Sequence, residues 1–242
     1  MSLDPVSLDP VTLAVLKGRL ERIADEMDAT LFRAAFNPII AEAHDACHGI
    51  YHAATGATLV QGTSGLPIFV GAMAFAVKAV IDHVPPARVR PHQTYLFNDP
   101  YSGGTHLNDF RLVRPVFREG LLYCWLASVG HWLDFGGNVA GGFNPKAVDT
   151  LQEGVRIPPV LFADDTGVRD DIQAILSANS RTPDANWGDL NGQLGALDLG
   201  EARLNALLDE YGDNTVREAL DALTARAGAM MRSHIAALPN GT

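Results

Sequence analysis

Leu13, Leu16, Leu20, Ile23, Met27 and Leu31 recur at steps of three and four, the spacing that places apolar side chains on one face of a helix. Asp9-Pro10 supplies an oxygen-bearing N-cap and a proline at the first helical position, and Asn37-Pro38 marks the far boundary. The pattern therefore predicts a long N-terminal amphipathic helix. The apolar positions then change period. "HGIYHAATGATLV" reads as two short strands around a Thr55-Gly56 turn, and "FVGAMAFAVKAVIDHV" as an apolar helix stopped by Pro85-Pro86. Three β-rich runs follow, "TYLF", "FRLVRPVF" and "LLYCWLASV", the last two joined by Arg118-Glu119-Gly120 as a hairpin. "LLYCWLASV" does not alternate, as expected for a strand covered on both faces.

Phe135 to Phe143 is glycine-rich and reads as a loop, and "EGVRIPPVLF" as an extended connector stiffened by prolines. Beyond Thr166 the period returns to helical, with four patterns expected. One carries Leu204, Leu207, Leu208 and Tyr211, and the next carries Val216, Leu220, Leu223, Ala227, Met230 and Met231. Gly212 fits the position just past the first of these, with Asp213 or Asn214 capping the second. The expected fold is mixed α+β: a central, largely antiparallel sheet with a long N-terminal helix and a helical C-terminal part. Three regions follow: a tail at 1–8, a helix plus strand-rich region at 9–164, and a helical region at 165–242. The Ser2–Val6 run repeats as Ser7–Val11 and suggests no function.

A net charge of −10 argues against nucleic acid, whose binding draws on Lys and Arg against phosphates, and equally against anionic membrane surfaces. No apolar run approaches the ~20 residues of a bilayer span, and the N-terminus lacks the layout of a signal peptide, so the cytoplasm is the expected compartment. Cys47 and Cys124 are too few and too far apart to form a disulfide framework.

The chemistry concentrates in "FNDPYSGGTHLNDF" and "SVGHWLDFGG", with an aspartate upstream in "EAHDACHG". Asp45, His106, Asp109, His131 and Asp134 are the candidates. His106 and Asp109 lie three apart, and the hairpin between 109 and 131 would return His131 beside them. Two imidazoles and two carboxylates form an N2O2 set suited to Mn²⁺ or Fe²⁺ and acceptable to Zn²⁺. A histidine at a strand end also commonly hydrogen-bonds a carbonyl, the plainer alternative for each residue alone. Gly103-Gly104 permits a tight bend or a close backbone approach, and Asn98-Asp99-Pro100 a turn. Arg156 and Arg181 are candidates for gripping a carboxylate or phosphate, with structural ion pairs as the alternative. No GxxxxGK[ST] phosphate loop occurs.

The order of "DPVTLAVLKGRLERIADEMDATLFRAAFNPII", Asp45, "FNDPYSGGTHLNDF", "GHWLDFGG", "LQEGVRIPPV" and "NSRTPDANWGDLNGQ" resembles the hydantoinase B/oxoprolinase family, from about Asp9 to Thr242. That family includes amide-cleaving subunits of ATP-dependent hydantoin, oxoproline and caprolactam hydrolases, and related acetone and acetophenone carboxylase subunits. The resemblance implies a divalent metal (Zn, Mn or Fe) held by Asp45, His106, Asp109 and His131, with Asp134 as a nearby acid able to orient an imidazole. It also implies that ATP is used by a hydantoinase A-like partner subunit and not bound here. The partner would activate a cyclic amide, or in the carboxylase branch a ketone. Hydroxide attack would then follow at the metal, with Asp134 or Asp99 shuttling the proton. A non-catalytic assembly subunit of such a complex is the alternative of another class.

The chain departs from the family pattern at "HDACHGIYH", where relatives usually carry a Ser-Cys-Ala-like stretch. Cys47 there is a candidate extra ligand or nucleophile, with a buried structural thiol as the favoured reading. The resemblance covers only the N-terminal part of the longer family subunits. The closing Asn240-Gly241 would turn a hairpin whose second strand is missing, an ending expected either of a fragment or of a chain completed by a separate polypeptide.

Overall fold

The computed structural model describes residues 8–239. The duplication at the N-terminus and the Asn240-Gly241 turn lie wholly or largely outside them. The long first helix, α1 (Pro10–Ala34), starts where Asp9 accepts hydrogen bonds from the Val11 and Thr12 amides, as the Asp-Pro pair requires. A short α2 (Pro38–Ala41) follows, capped by Asn37. Then come β1 (Ala46–His52), β2 (Thr58–Gln61), α3 (Ile68–His83), β3 (Thr94–Phe97), β4 (Asp109–Arg118), β5 (Leu121–His131), β6 (Val160–Asp164) and β7 (Gly167–Val168). They form one antiparallel sheet in the order β2-β1-β5-β4-β3-β6-β7.

Helices cover both faces. α3 buries Phe69, Met73 and Val77 against Val113, Trp125 and Val129 on one face. On the other, Leu16, Leu20, Met27 and Leu31 of α1 join Leu112, Leu126 and Leu197. This two-sided cover is why β5 is buried continuously from Tyr123 to Gly130 and reads as an unbroken apolar run. The β4–β5 turn has two residues, Glu119 (φ 49°) and Gly120 (φ 78°), both in the left-handed region that matches the twist of the strands.

Three expectations are corrected. "VLF" is not a connector: Val160–Asp164 pairs with β3 as β6. Beyond Thr166 there are three helices, not four, among the described residues: α4 (Asp170–Ala178), α5 (Pro183–Tyr211) and α6 (Asp213–Ala236). α5 runs unbroken for 29 residues through several glycines because α1 packs directly on it. A Cβ at Gly192 would meet Leu31 and one at Gly200 would meet Met27, so both allow close helix contact. Gly212 closes α5, and at φ 83° it also occupies the N-cap of α6, while Asp213 makes no cap bond and pairs with Arg118. No described helix is long and apolar enough to cross a membrane.

Candidate metal centre

Sheet register gathers the site. Asp109, the first residue of β4, is the direct partner of His131, the last of β5. Across the other edge of β5, Ala46 pairs with Gly130, so Asp45 lies beside His131, whose N–H donates to the Asp45 carbonyl (3.1 Å). His106 reaches the same corner from the loop ahead of β4, where the Asp109 N–H closes a turn onto the His106 carbonyl (3.2 Å).

Three donor atoms converge. His106 Nε2 lies 2.9 Å from Asp109 Oδ1 and 3.2 Å from His131 Nδ1, and His131 Nδ1 lies 3.4 Å from Asp109 Oδ1. Asp45 Oδ2 stands a little further out, 3.6 Å from His131 Nδ1, outside the tight group of three. Nitrogen and oxygen ligands at the usual bond lengths around a four-coordinate cation lie about 3.3–3.6 Å apart. The observed spacings of 2.9–3.4 Å overlap the lower end of that range and fall somewhat below it, and two imidazole nitrogens turned toward one carboxylate oxygen make a donor set of the kind a divalent cation takes. Asp109 is buried, whereas the His106 side chain is 47% exposed, so the cluster opens to solvent on the His106 side.

The charges are tuned in opposite directions. Burial pushes the Asp109 carboxyl up, but hydrogen bonds from His106 and His131 outweigh it and hold it below the usual range. Burial raises Asp45, reinforced by the Asp109 charge and opposed by the His131 and His106 imidazoles. His106 is raised, chiefly by its bond to Asp109.

The neighbouring loop explains the density of special residues before His106. Asn98 is fully buried: its amide donates to the Leu107 and Val155 carbonyls (both 2.8 Å), and its oxygen accepts from the Ile157 N–H (2.7 Å). Asp99 caps the 3₁₀ turn Pro100–Ser102 through the Tyr101 N–H. Gly103, at φ 78°, lies so close to α3 that a Cβ would come within 2.5 Å of the Phe75 backbone.

Not every expected residue joins the cluster. Asp134 is buried beside it, yet its oxygens accept from the Gly136, Gly141 and Arg181 amides and from the Arg181 guanidinium (Nη1 to Oδ2, 2.9 Å). It makes no hydrogen bond to either imidazole and fixes the glycine loop instead. Asp99 also lies outside the group, its Oδ2 3.4 Å from the Ser102 hydroxyl and 3.9 Å from Arg156 Nε. Arg181 is thus committed to an ion pair, whereas Arg156 stays half-exposed over the Tyr101 ring. In the divergent "HDACHGIYH" stretch, His44 stacks on Phe32 and His48 bridges Asp28 and Ser128. His52 accepts from local amides, and Cys47 is a buried free thiol, so none of the four enters the cluster.

The pattern did not single out three supporting residues. Thr105 donates its hydroxyl to Asp109 Oδ2, which leaves Oδ1 facing the imidazoles. Fully buried Arg111 donates to the Asp109 carbonyl (2.7 Å) and to Thr105 Oγ1 (2.8 Å), and burial lowers its pKa to about 10. Asn37 holds the His131 carbonyl. Such partners set ligand orientation. An arginine near the start of the β-rich run "FRLVRPVF", two residues after Asp109, was the available signal for Arg111.

A seven-stranded antiparallel sheet between helices, with a His/Asp cluster at the ends of three adjacent strands, defines the architecture. The chain belongs to the Hydantoinase B/oxoprolinase family, whose profile matches residues 9–242. It is 35% identical over 239 residues to the caprolactamase subunit beta of Pseudomonas jessenii, covering 97% of this chain and 40% of that protein. It is 29% identical to a 5-oxoprolinase of Dictyostelium discoideum, over 86% of this chain and 16% of that protein. The crystal structure of the ATP-dependent caprolactamase from Pseudomonas jessenii superposes with a TM-score of 0.89 at 33% identity, over 97% of this chain and 40% of that one. An acetone carboxylase structure shares the fold at 24% identity (TM-score 0.81), over 87% of this chain and 28% of that one. The chain thus spans well under half the length of these relatives.

Proposed function

We propose that this chain is the metal-dependent, amide-cleaving part of an ATP-dependent cyclic amide hydrolase. It acts on a hydantoin, oxoproline or lactam ring activated by an ATP-binding, hydantoinase A-like partner subunit. The observation that carries the reading is the convergence of His106 Nε2, Asp109 Oδ1 and His131 Nδ1, with Asp45 beside them. A divalent cation (Zn²⁺, Mn²⁺ or Fe²⁺) would supply Lewis acidity there, bringing water toward ionisation near neutral pH and polarising a carbonyl. The protein's own contribution is placement. Thr105 and Arg111 fix Asp109, while backbone pairing fixes His131, so the ligand atoms are held before substrate arrives. The open His106 side admits the ring. Of the two acids considered for proton transfer, Asp99 has the freer oxygen. The oxygens of Asp134 are occupied in holding the loop.

The test is elemental mass spectrometry of the purified chain beside His106→Ala, followed by product analysis with the partner subunit and ATP. Near-stoichiometric metal in the wild type, lost in the variant, together with a ring-opened product, is the expected result. A bicarbonate requirement would replace hydrolysis with carboxylation. A folded wild-type chain that takes up neither Zn²⁺ nor Mn²⁺ would leave a non-catalytic assembly subunit in place of the enzyme.

A further inference from the structure

Asn37 sits at the corner between α1 and α2, is fully buried, and uses both ends of its side-chain amide. Its Oδ1 accepts from the Ile39 N–H (2.9 Å), capping α2, and its Nδ2 donates to the His131 carbonyl (2.5 Å). The corner itself is gripped by Asp189 of α5, whose Oδ1 accepts from both the Phe36 N–H (2.7 Å) and the Asn37 N–H (3.2 Å). From the far side of α2, the Asp45 N–H donates to the Ile39 carbonyl (3.0 Å), and the Asp45 carbonyl accepts from the His131 N–H (3.1 Å). One asparagine therefore contacts the backbone of His131 and caps the helix that leads to Asp45.

Two observations set this apart from ordinary packing. Asp189 is fully buried, yet its Oδ2 has no partner, an arrangement that costs stability and that an apolar residue would avoid. Gly188, immediately before it, has no room for a side chain, since a Cβ would collide with the Phe36 ring. The missing side chain lets the corner seat on α5 within reach of the carboxylate. The contacts lie on the very path that places Asp45, the one acid of the four that stands outside the tight group.

We propose that Asp189 and Asn37 form a positioning relay from α5 that sets the distance of Asp45 from His106, Asp109 and His131, and with it the completion of the metal site. The inference rests on the metal-site reading. Neither residue touches a ligand side chain in the cluster; both act through the corner and the His131 carbonyl.

Two measurements on the full chain test it, with Zn²⁺ and Mn²⁺ alone as probes. Asp189→Ala removes the shared acceptor and lowers metal affinity about 10- to 100-fold, the range for supporting partners of metal ligands. Asp189→Asn keeps an acceptor oxygen and stays near wild type. In the metal-free protein, hydrogen–deuterium exchange at Ile39, Asp45 and His131 speeds up in Asp189→Ala. It does not in Leu208→Ala, a core control that lowers stability without touching the corner. Should Asp189→Ala fail to fold, Asn37→Asp keeps the α2 cap while turning the donor toward His131 into an acceptor, and it gives the same loss. Unchanged affinity and unchanged exchange at these amides would overturn the relay. A wild type that binds no metal, with exchange still faster in Asp189→Ala, would sink the metal reading and leave only the positioning of Asp45 through the corner.

Discussion

Asp109 and His131 are direct cross-strand partners at the open end of the β4–β5 hairpin, with Asp109 Oδ1 3.4 Å from His131 Nδ1. Two features of the hairpin set the partnership: the two-residue Glu119-Gly120 turn pairs Phe117 with Leu122, and a register shift between Val116 and Phe117 moves the later pairs on by one residue, to Val116 with Cys124 and so to Asp109 with His131. A slip of one residue would turn His131 to the opposite face of the sheet. The geometry of the cluster thus depends on a turn and a register shift toward the far end of both strands.

Glycine conformation can be separated from glycine size. A methyl group added at Gly120 (φ 78°) would meet open space, whereas one at Gly103 (φ 78°) would meet the Phe75 backbone at 2.5 Å. Gly120→Ala is expected to cost about 1 kcal/mol, the left-handed penalty alone. Gly103→Ala should cost at least about 2 kcal/mol, because the backbone clash adds to it. Urea denaturation of both variants checks the order, and equal costs would remove the close approach as the reason for the Gly-Gly pair.

Cys47 is expected to be inert in the native protein. Burial, reinforced by the nearby Asp28 carboxylate, pushes its thiol up to about 12, so almost no thiolate exists at pH 8. Iodoacetamide should label it only after unfolding. Rapid native labelling would reopen a nucleophilic role.

The Asp134 clamp predicts an acid-sensitive loop. Burial pushes its carboxyl up, but the Gly141, Gly136 and Arg181 amides and the Arg181 guanidinium prevail, leaving it lowered in the fold. A lowered folded value means its contribution is fully present above the unfolded carboxylate value of about 3.9 and fades as pH falls through the folded one. The wild type should therefore melt above Asp134→Asn at pH 7, with the gap narrowing toward pH 3. A gap that is constant across that range would contradict the charge-based clamp.

Gln193 staples the two site strands from α5. Its Oε1 accepts from Trp132 Nε1–H (3.1 Å), and its Nε2 donates to the Phe110 carbonyl (3.0 Å) and to Ser128 Oγ (3.2 Å), all in the interior. Gln193→Leu matches its size but strands buried polar groups, so a loss of about 2–3 kcal/mol is expected in chemical denaturation. A neutral result would show that these groups find other partners.

Elements whose physics is local were legible in the chain alone. Leu16 to Leu31 marked the buried face of α1, Asp9-Pro10 its start, and Glu119-Gly120 the hairpin. The unalternating run around Trp125 announced a strand covered on both faces. His106, Asp109 and His131 could be grouped because a hairpin brings its second strand back beside its first. Local pattern stops at the interfaces. The role of Gly192 and Gly200 in α5, close contact with α1, involves side chains more than 160 positions away. Val160–Asp164 becomes a strand only because β3 offers an edge. Asp134 and Arg181 find each other, and Asp189 finds Asn37, through contacts across 47 and 152 positions that no spacing rule encodes. Residue chemistry was written in the chain, but which donor met which acceptor came from packing α1 and α5 against one face of the sheet.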